Sequence, residues 1–172
     1  MLQIKPVESH QLDELVELSR QTFIDGFKEA SNPENFDIYV RDNLNLPVLS
    51  AEWAAPETRF FFAYDAENEL VGYLKMRWDR STDFFADGDA VELQRIYFLK
   101  AHWNKGYGSK LLHFAENFAR AQGKTWIYLI VWLENKGAIR FYEREKYDFF
   151  ARKNFQFGEE IHYDFAYRKN LK

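Results

Sequence analysis

Cysteine is absent from this 172-residue chain. That one absence excludes a disulfide framework, a cysteine-ligated zinc site and a thiol nucleophile together. It also fits a reducing compartment. No apolar run approaches the roughly 18 residues that a membrane-spanning helix needs. Met1 to Val7 lacks the long apolar stretch of a secretory signal, so the expected location is cytoplasmic. The four histidines, His10, His102, His113 and His162, have no metal-ligand spacing, and no metal is expected. There is no basic tail and no long Lys/Arg cluster, and the net charge is -4. That balance argues against nucleic acid as a partner and favours cationic ones.

What the chain does have is apolar and aromatic mass. Hydrophobic residues make up 47% and aromatics 19%, with 17 Phe, 10 Tyr and 5 Trp, which excludes a disordered chain. The length suits one domain spanning residues 1–172. Leu2 to Val7 reads as a strand. Ser9 reads as the cap of a helix carrying Leu12, Leu15, Val16, Ser19 and Phe23 on one face. Asn32-Pro33 starts a second helix, with proline at its first position. A short helical piece covers Val48 to Ala54, and Pro56 ends it.

Strands follow at Phe60 to Tyr64 and Leu70 to Trp78, joined by a turn at Ala66-Glu67-Asn68. An acidic loop with Asp79, Asp83, Asp87 and Asp89 leads to a third core strand, Val91 to Leu99. Gly106 opens a helix that buries Leu111, Leu112, Ala115, Phe118 and Ala119, and Gly123 stands where a C-cap glycine belongs. Trp126 to Val131 is a densely apolar strand and Ala138 to Glu145 a short helix. Tyr147 to Phe155 and Ile161 to Arg168 close the chain as a hairpin turning near Gly158. The order β-α-α-β-β-β-α-β-α-β-β, without repeat or linker, predicts a mixed α/β domain.

The most informative segment is His102-Trp103-Asn104-Lys105-Gly106-Tyr107-Gly108-Ser109-Lys110-Leu111, between a strand and a helix. Glycines let successive amides face one point, and a helix start adds a positive dipole end; a pyrophosphate suits both. A Walker A loop would need Gly-Lys-Ser/Thr at its end, and a dinucleotide fingerprint a third glycine where Leu111 stands. A plain glycine turn before an amphipathic helix is the simpler alternative, and spacing alone leaves the two open.

Here the sequence resembles the GNAT acetyltransferases. Gly106-Tyr107-Gly108 matches that family's Arg/Gln-x-x-Gly-x-Gly/Ala signature, although Trp103 stands where Arg or Gln is usual. Downstream, Asn135-x-x-Ala138-x-x-Phe141-Tyr142 matches the family's second coenzyme A segment, its usual Gly-Phe ending replaced by Lys146-Tyr147. A narrower resemblance, to the PaiA-type bacterial polyamine acetyltransferases, covers nearly the whole chain. It rests on Thr22 to Glu29, Asn32-Pro33-Glu34-Asn35, Val91-Glu92-Leu93-Gln94-Arg95-Ile96-Tyr97 and Phe157-Gly158-Glu159-Glu160. The resemblance implies the GNAT fold: a mostly antiparallel central sheet with helices on both faces. It also implies acetyl-CoA as cosubstrate and a polyamine such as spermidine or spermine as acceptor.

The family likeness also implies roles. The backbone of Ile96, Tyr97 and Phe98 would pair with pantetheine and offer an amide to the thioester oxygen. Asn104, Lys105, Gly106, Tyr107, Gly108 and Ser109 would hold the phosphates. Tyr142 matches the tyrosine that protonates the leaving thiolate, a task open to a phenol with a pKa near 10. Glu92 is the candidate base; strand alternation groups it with Gln94, Ile96 and Phe98, and a strand-edge Glu paired with Lys or Arg is the alternative. Asn135 would touch the coenzyme or cap the helix after it. A cationic acceptor calls for acidic and aromatic residues; Phe27, Glu29, Glu34, Asp37, Phe84 and Phe85 are candidates beside the loop aspartates. Without cysteine no acetyl-cysteine can form, which favours direct attack in a ternary complex.

Two rivals share the fold: a non-catalytic coenzyme A-binding regulatory module, and an acetyltransferase for protein N-termini or lysines. The aromatic stretch Tyr147 to Phe155 reads either as a homodimer contact or as a covered core strand.

Overall fold

The computed structural model describes residues 2–30, 32–78, 84–85, 88–157 and 160–172. Asp79, Asp83 and Asp87 of the expected acidic loop, and the Gly158-Glu159 turn, lie outside the described residues.

The chain is mixed α/β, with seven strands in one mostly antiparallel sheet and five α-helices among the described residues. The strands are β1 (Gln3–Pro6), β2 (Thr58–Tyr64), β3 (Leu70–Arg77), β4 (Ala90–Phe98), β5 (Trp126–Trp132), β6 (Asp148–Phe157) and β7 (Glu160–Asn170), in sheet order β1-β2-β3-β4-β5-β7-β6. The helices are α1 (Leu12–Phe27), α2 (Pro33–Asn43), α3 (Leu46–Ala54), α4 (Tyr107–Ala121) and α5 (Lys136–Arg144). The α3 helix makes three helices before β2, where the expected order counted two.

Local chemistry sets the boundaries. The first helix begins with a 3-10 turn, Ser9–Gln11, whose cap is Glu8 rather than Ser9: the Glu8 and Gln11 side chains form a reciprocal capping box. The Glu8 amide donates to Gln11 Oε1 at 3.1 Å, and Ser9 already lies inside the turn. Asn32 caps α2 as expected, its side chain accepting from the amides of Glu34 at 3.0 Å and Asn35 at 3.2 Å. Asn45 does the same for α3 through the Val48 amide. The β2–β3 turn is held by Asp65 Oδ1, which accepts from the amides of Glu67 and Glu69 at 3.0 Å each. Asn68 adopts φ 63° there, a left-handed conformation that asparagine tolerates.

Two compact units are distinguishable: Met1–Met76 with Arg95–Leu112, and Arg77–Gln94 with His113–Lys172. The strands β3 and β4 and the helix α4 each contribute residues to both. In the first unit the core gathers Val7, Leu15, Val16, Leu18, Leu49, Phe60, Phe62 and Tyr73. Trp53 ties α3 to the end of β1, its Nε1 donating to the Val7 carbonyl at 2.8 Å. In the second unit β5 pairs antiparallel with β7 from Trp126–Asn170 to Trp132–Asp164, and β7 pairs antiparallel with β6, the sheet's edge strand. Along β6, Phe149 is 49% exposed while Tyr147 just before the strand is buried.

The pairing of the two central strands positions the site. Parallel pairing of β4 with β5 covers Ala90–Trp126, Val91–Ile127 and Glu92–Tyr128. Both strands run on, β4 to Phe98 and β5 to Trp132.

Candidate active site

Within the first unit, the connection from β4 to α4 is held by its own side chains. The Trp103 indole Nε1 donates to the Phe98 carbonyl at 2.7 Å. Asp25, near the end of α1, accepts from the Lys100 amide through Oδ2 at 2.9 Å. The ring of Tyr107, first residue of α4, lies 6.0 Å from that of Phe98 and 6.4 Å from that of His102. Two positive φ angles, 59° at Asn104 and 74° at Gly106, bend the chain into the helix. A Cβ added at Gly106 would meet nothing within 4 Å, so the space beside this backbone is open and the φ is what calls for glycine.

The connection is also cationic. Lys100, Lys105 and Lys110 fall within it and no carboxylate does, in a chain of net charge -4. None of the three forms an ion pair among the described residues. A helix start, an open glycine and lysines without an ion pair among the described residues fit a polyphosphate. Asn104, Lys105, Gly106, Tyr107, Gly108 and Ser109 are thus together on one connection, adjoining Ile96, Tyr97 and Phe98. All three of the latter are half-buried.

A residue that the sequence did not single out holds this end of β4. Gly72 on β3 has no room for a side chain: a Cβ there would collide with the Tyr97 carbonyl oxygen and come within 2.5 Å of Phe98 Cδ1. The Leu99 amide donates to the Val71 carbonyl at 2.9 Å beside it. On the helical side, Phe27 packs against Phe23 at 4.8 Å and edge-on to Tyr97 at 5.9 Å, and Phe23 stacks with Phe36 and Tyr39. Glu29, Glu34 and Asp37 are exposed around this aromatic group.

The first unit also buries a charged cluster that the sequence could not reveal. Glu52 on α3 takes a forked pair of bonds from Arg95 of β4, Nη1 to Oε2 at 2.8 Å and Nη2 to Oε1 at 3.1 Å. Lys75 Nζ lies 2.8 Å from the same Oε2. Burial alone would raise the Glu52 pKa, but Arg95 and Lys75 outweigh it and hold the carboxyl below its usual range. The neighbouring phenols of Tyr39 and Tyr73 are pushed up by burial.

In the second unit, Glu92 is 8% exposed. Its Oε2 accepts from Arg77 Nη2 at 2.7 Å and Nε at 3.1 Å. Oε1 accepts nothing from the described residues. So Glu92 is both a paired carboxylate and one with an oxygen to spare. Two residues on, the Gln94 side-chain oxygen is buried without a hydrogen bond from the described residues. Tyr142 on α5 is 7% exposed, with its ring 5.9 Å from that of Tyr147. Burial raises its pKa well above the ordinary phenol value, so the hydroxyl keeps its proton across the physiological range. That hydroxyl bonds to no described residue, whereas Tyr147 donates to Glu116 at 3.3 Å. Glu116 in turn accepts from Lys169 at 2.8 Å.

Asn135 caps α5, its Oδ1 accepting from the Ala138 amide at 3.1 Å. Phe84 and Phe85 pack against Tyr128 and Phe150, with Phe85 9% exposed. Asp89 is exposed and accepts from the Thr125 amide through Oδ1 at 3.2 Å. No helix among the described residues is long and apolar enough to cross a membrane.

A mixed α/β sheet whose strand β4 turns through an open glycine into the helix α4 has the fold of an acyl-coenzyme A transferase. The chain belongs to the acetyltransferase (GNAT) family, whose model matches residues 12–147. An uncharacterised N-acetyltransferase of Lactobacillus delbrueckii subsp. lactis is 31% identical over 170 residues, covering 99% of this chain and 98% of the relative. Among solved structures, the PaiA N-acetyltransferase of Thermoplasma acidophilum in complex with coenzyme A superposes with a TM-score of 0.76 at 18% identity, over 99% of each chain. Mutant forms of the spermidine/spermine N-acetyltransferase SpeG of Vibrio cholerae give 0.71 at 17%, over 99% of this chain and 95% of that one. The protein is an acetyl-CoA-dependent N-acetyltransferase.

Proposed function

We propose that the protein acetylates a primary amine of a small polycation of the polyamine class, by direct attack in a ternary complex, with Glu92 as base and Tyr142 as acid. The observation that carries this reading is the spare oxygen of Glu92: a buried carboxylate, oriented by Arg77 through Oε2, with Oε1 left to take a proton.

The need for a base follows from the acceptor. An alkylamine with a lysine-like pKa of about 10.4 is neutral in roughly one molecule in a few thousand at pH 7. Glu92 takes that amine's proton, directly or through one water. Acetyl-CoA supplies the activated acetyl thioester. The amides of Ile96 to Phe98 steady the carbonyl oxygen, and Asn104 to Ser109 with Lys105 hold the phosphates. Tyr142, kept protonated by burial, gives its proton to the departing sulfur. The polycation reading is supported by Glu29, Glu34 and Asp37, exposed and without an ion pair among the described residues, around the Phe23–Phe27–Phe36–Tyr39 aromatics. The structural likeness to PaiA and SpeG supports it too. A cysteine-free chain fits the reducing cytoplasm, where polyamines and acetyl-CoA meet.

The test is release of free coenzyme A thiol from acetyl-CoA with spermidine, spermine, short diamines, amino acids, an aminoglycoside and a lysine peptide. Turnover on polyamines supports the reading. Turnover confined to the lysine peptide or another class sinks the polyamine assignment. Coenzyme binding without turnover on any amine identifies a regulatory module instead.

A further inference from the structure

We infer that Trp103 is a positioning residue that locks the thioester-binding strand to the phosphate-binding loop, so that the two ends of the coenzyme are bound as one. This rests on the acetyltransfer reading above. Trp103 occupies the position where the family signature has Arg or Gln, so its role belongs to this chain and not to the motif.

The geometry is local and complete within the first unit. Phe98 is the last residue of β4. The Trp103 indole Nε1 donates to its carbonyl at 2.7 Å. The Trp103 amide meanwhile donates to the Lys100 carbonyl at 3.2 Å, holding the main chain in the 3-10 turn Lys100–His102. The next residues are Asn104 and Gly106 with their positive φ angles, where the phosphate amides begin. One side chain therefore spans from the end of the pantetheine strand to the start of the phosphate cradle. A tryptophan that is 42% exposed adds little to a core, whereas an indole N–H fixed on a main-chain carbonyl sets the spacing between two backbone sites. The Asp25 bond to the Lys100 amide steadies the same turn from α1.

Arranged in this way, the phosphate contacts help the thioester only while the spacing holds. The experiment compares acetyl-CoA with S-acetylpantetheine, which has the thioester arm and lacks the nucleotide, on wild type and Trp103→Phe, with melting temperatures alongside. Trp103→Phe keeps the aromatic bulk and removes the donor. The expected result is a KM for acetyl-CoA raised about tenfold with kcat held within about twofold, and an unchanged kcat/KM for S-acetylpantetheine. The preference for the full coenzyme then falls by about tenfold. An unchanged preference overturns the inference. So does a parallel loss on both substrates with a lowered melting temperature, since that is the signature of a merely structural residue. If wild type neither binds coenzyme A nor turns over acetyl-CoA, the acetyltransfer reading itself fails, and that outcome is read on the wild type alone.

Discussion

Two carboxylates, each gripped by an arginine, are engaged differently in the two units: Glu92 is buried and Glu52 half-buried. Glu52 is saturated: Arg95 forks onto both oxygens and Lys75 shares Oε2. Glu92 is held by one oxygen only, with Arg77 on Oε2 and nothing from the described residues on Oε1. Saturation makes Glu52 a rivet between α3, β3 and β4 and leaves it no capacity for proton transfer. Partial engagement makes Glu92 an oriented group with a reactive lone pair. Burial and an arginine partner, taken alone, do not separate a structural acid from the proposed base; the count of engaged oxygens is what sets these two residues apart.

The largest expected effect tests the catalytic side. Glu92→Gln keeps an acceptor for Arg77 and loses the base, so kcat/KM for the amine falls by roughly 10²–10⁴-fold while the melting temperature barely moves. Glu52→Gln is expected to do the reverse. Removing one charge from a buried pair costs roughly 3–5 kcal/mol, read as a lowered denaturation midpoint, with kcat of the remaining folded protein little changed. Tyr142→Phe removes a proton donor without altering packing, because its hydroxyl bonds to no described residue; kcat falls by about 10²-fold and thermal stability is retained. Gly72→Ala forces Phe98 and the Tyr97 carbonyl to shift, which costs about 1–3 kcal/mol as overpacking does and raises the KM for acetyl-CoA.

The smallest effect is in pH. The Glu52 pKa is depressed in the folded protein, so the native state binds this proton less tightly than the unfolded chain. The stability it contributes is present above the unfolded value of about 4.3 and is lost as pH falls through the lower folded value. Urea midpoints measured from pH 6 down to pH 3 are expected to drop more steeply for wild type than for Glu52→Gln.

Much of the fold was legible because its signals are local. Asn32-Pro33 marks a capped helix start, Gly123 with φ 71° ends α4, and the alternating runs from Phe60 to Trp78 give the hairpin. The glycine connection was legible for the same reason: positive φ and a helix start leave a trace within ten residues. The start of α3 was missed by two residues because the Asn45 cap signal is followed by Leu46-Pro47, which reads equally as a turn. Pairings across the sheet left no such trace. Glu52 and Arg95 are 43 apart in sequence, Arg77 and Glu92 are 15 apart, and the need for glycine at position 72 arises from an approach by Phe98 that no periodicity encodes. Phe84 and Phe85 were attractive as loop aromatics, yet the same apolar surface packs readily against Tyr128 and Phe150.

The measurement that bears most directly on the account is steady-state acetylation of spermidine by wild type, Glu92→Gln and Glu52→Gln, each with its melting temperature. Glu92→Gln is expected to be folded and nearly inactive, and Glu52→Gln less stable and active at temperatures where it remains folded. Wild-type rates in folded Glu92→Gln would contradict this expectation, because the carboxylate with the open oxygen would then not be the base.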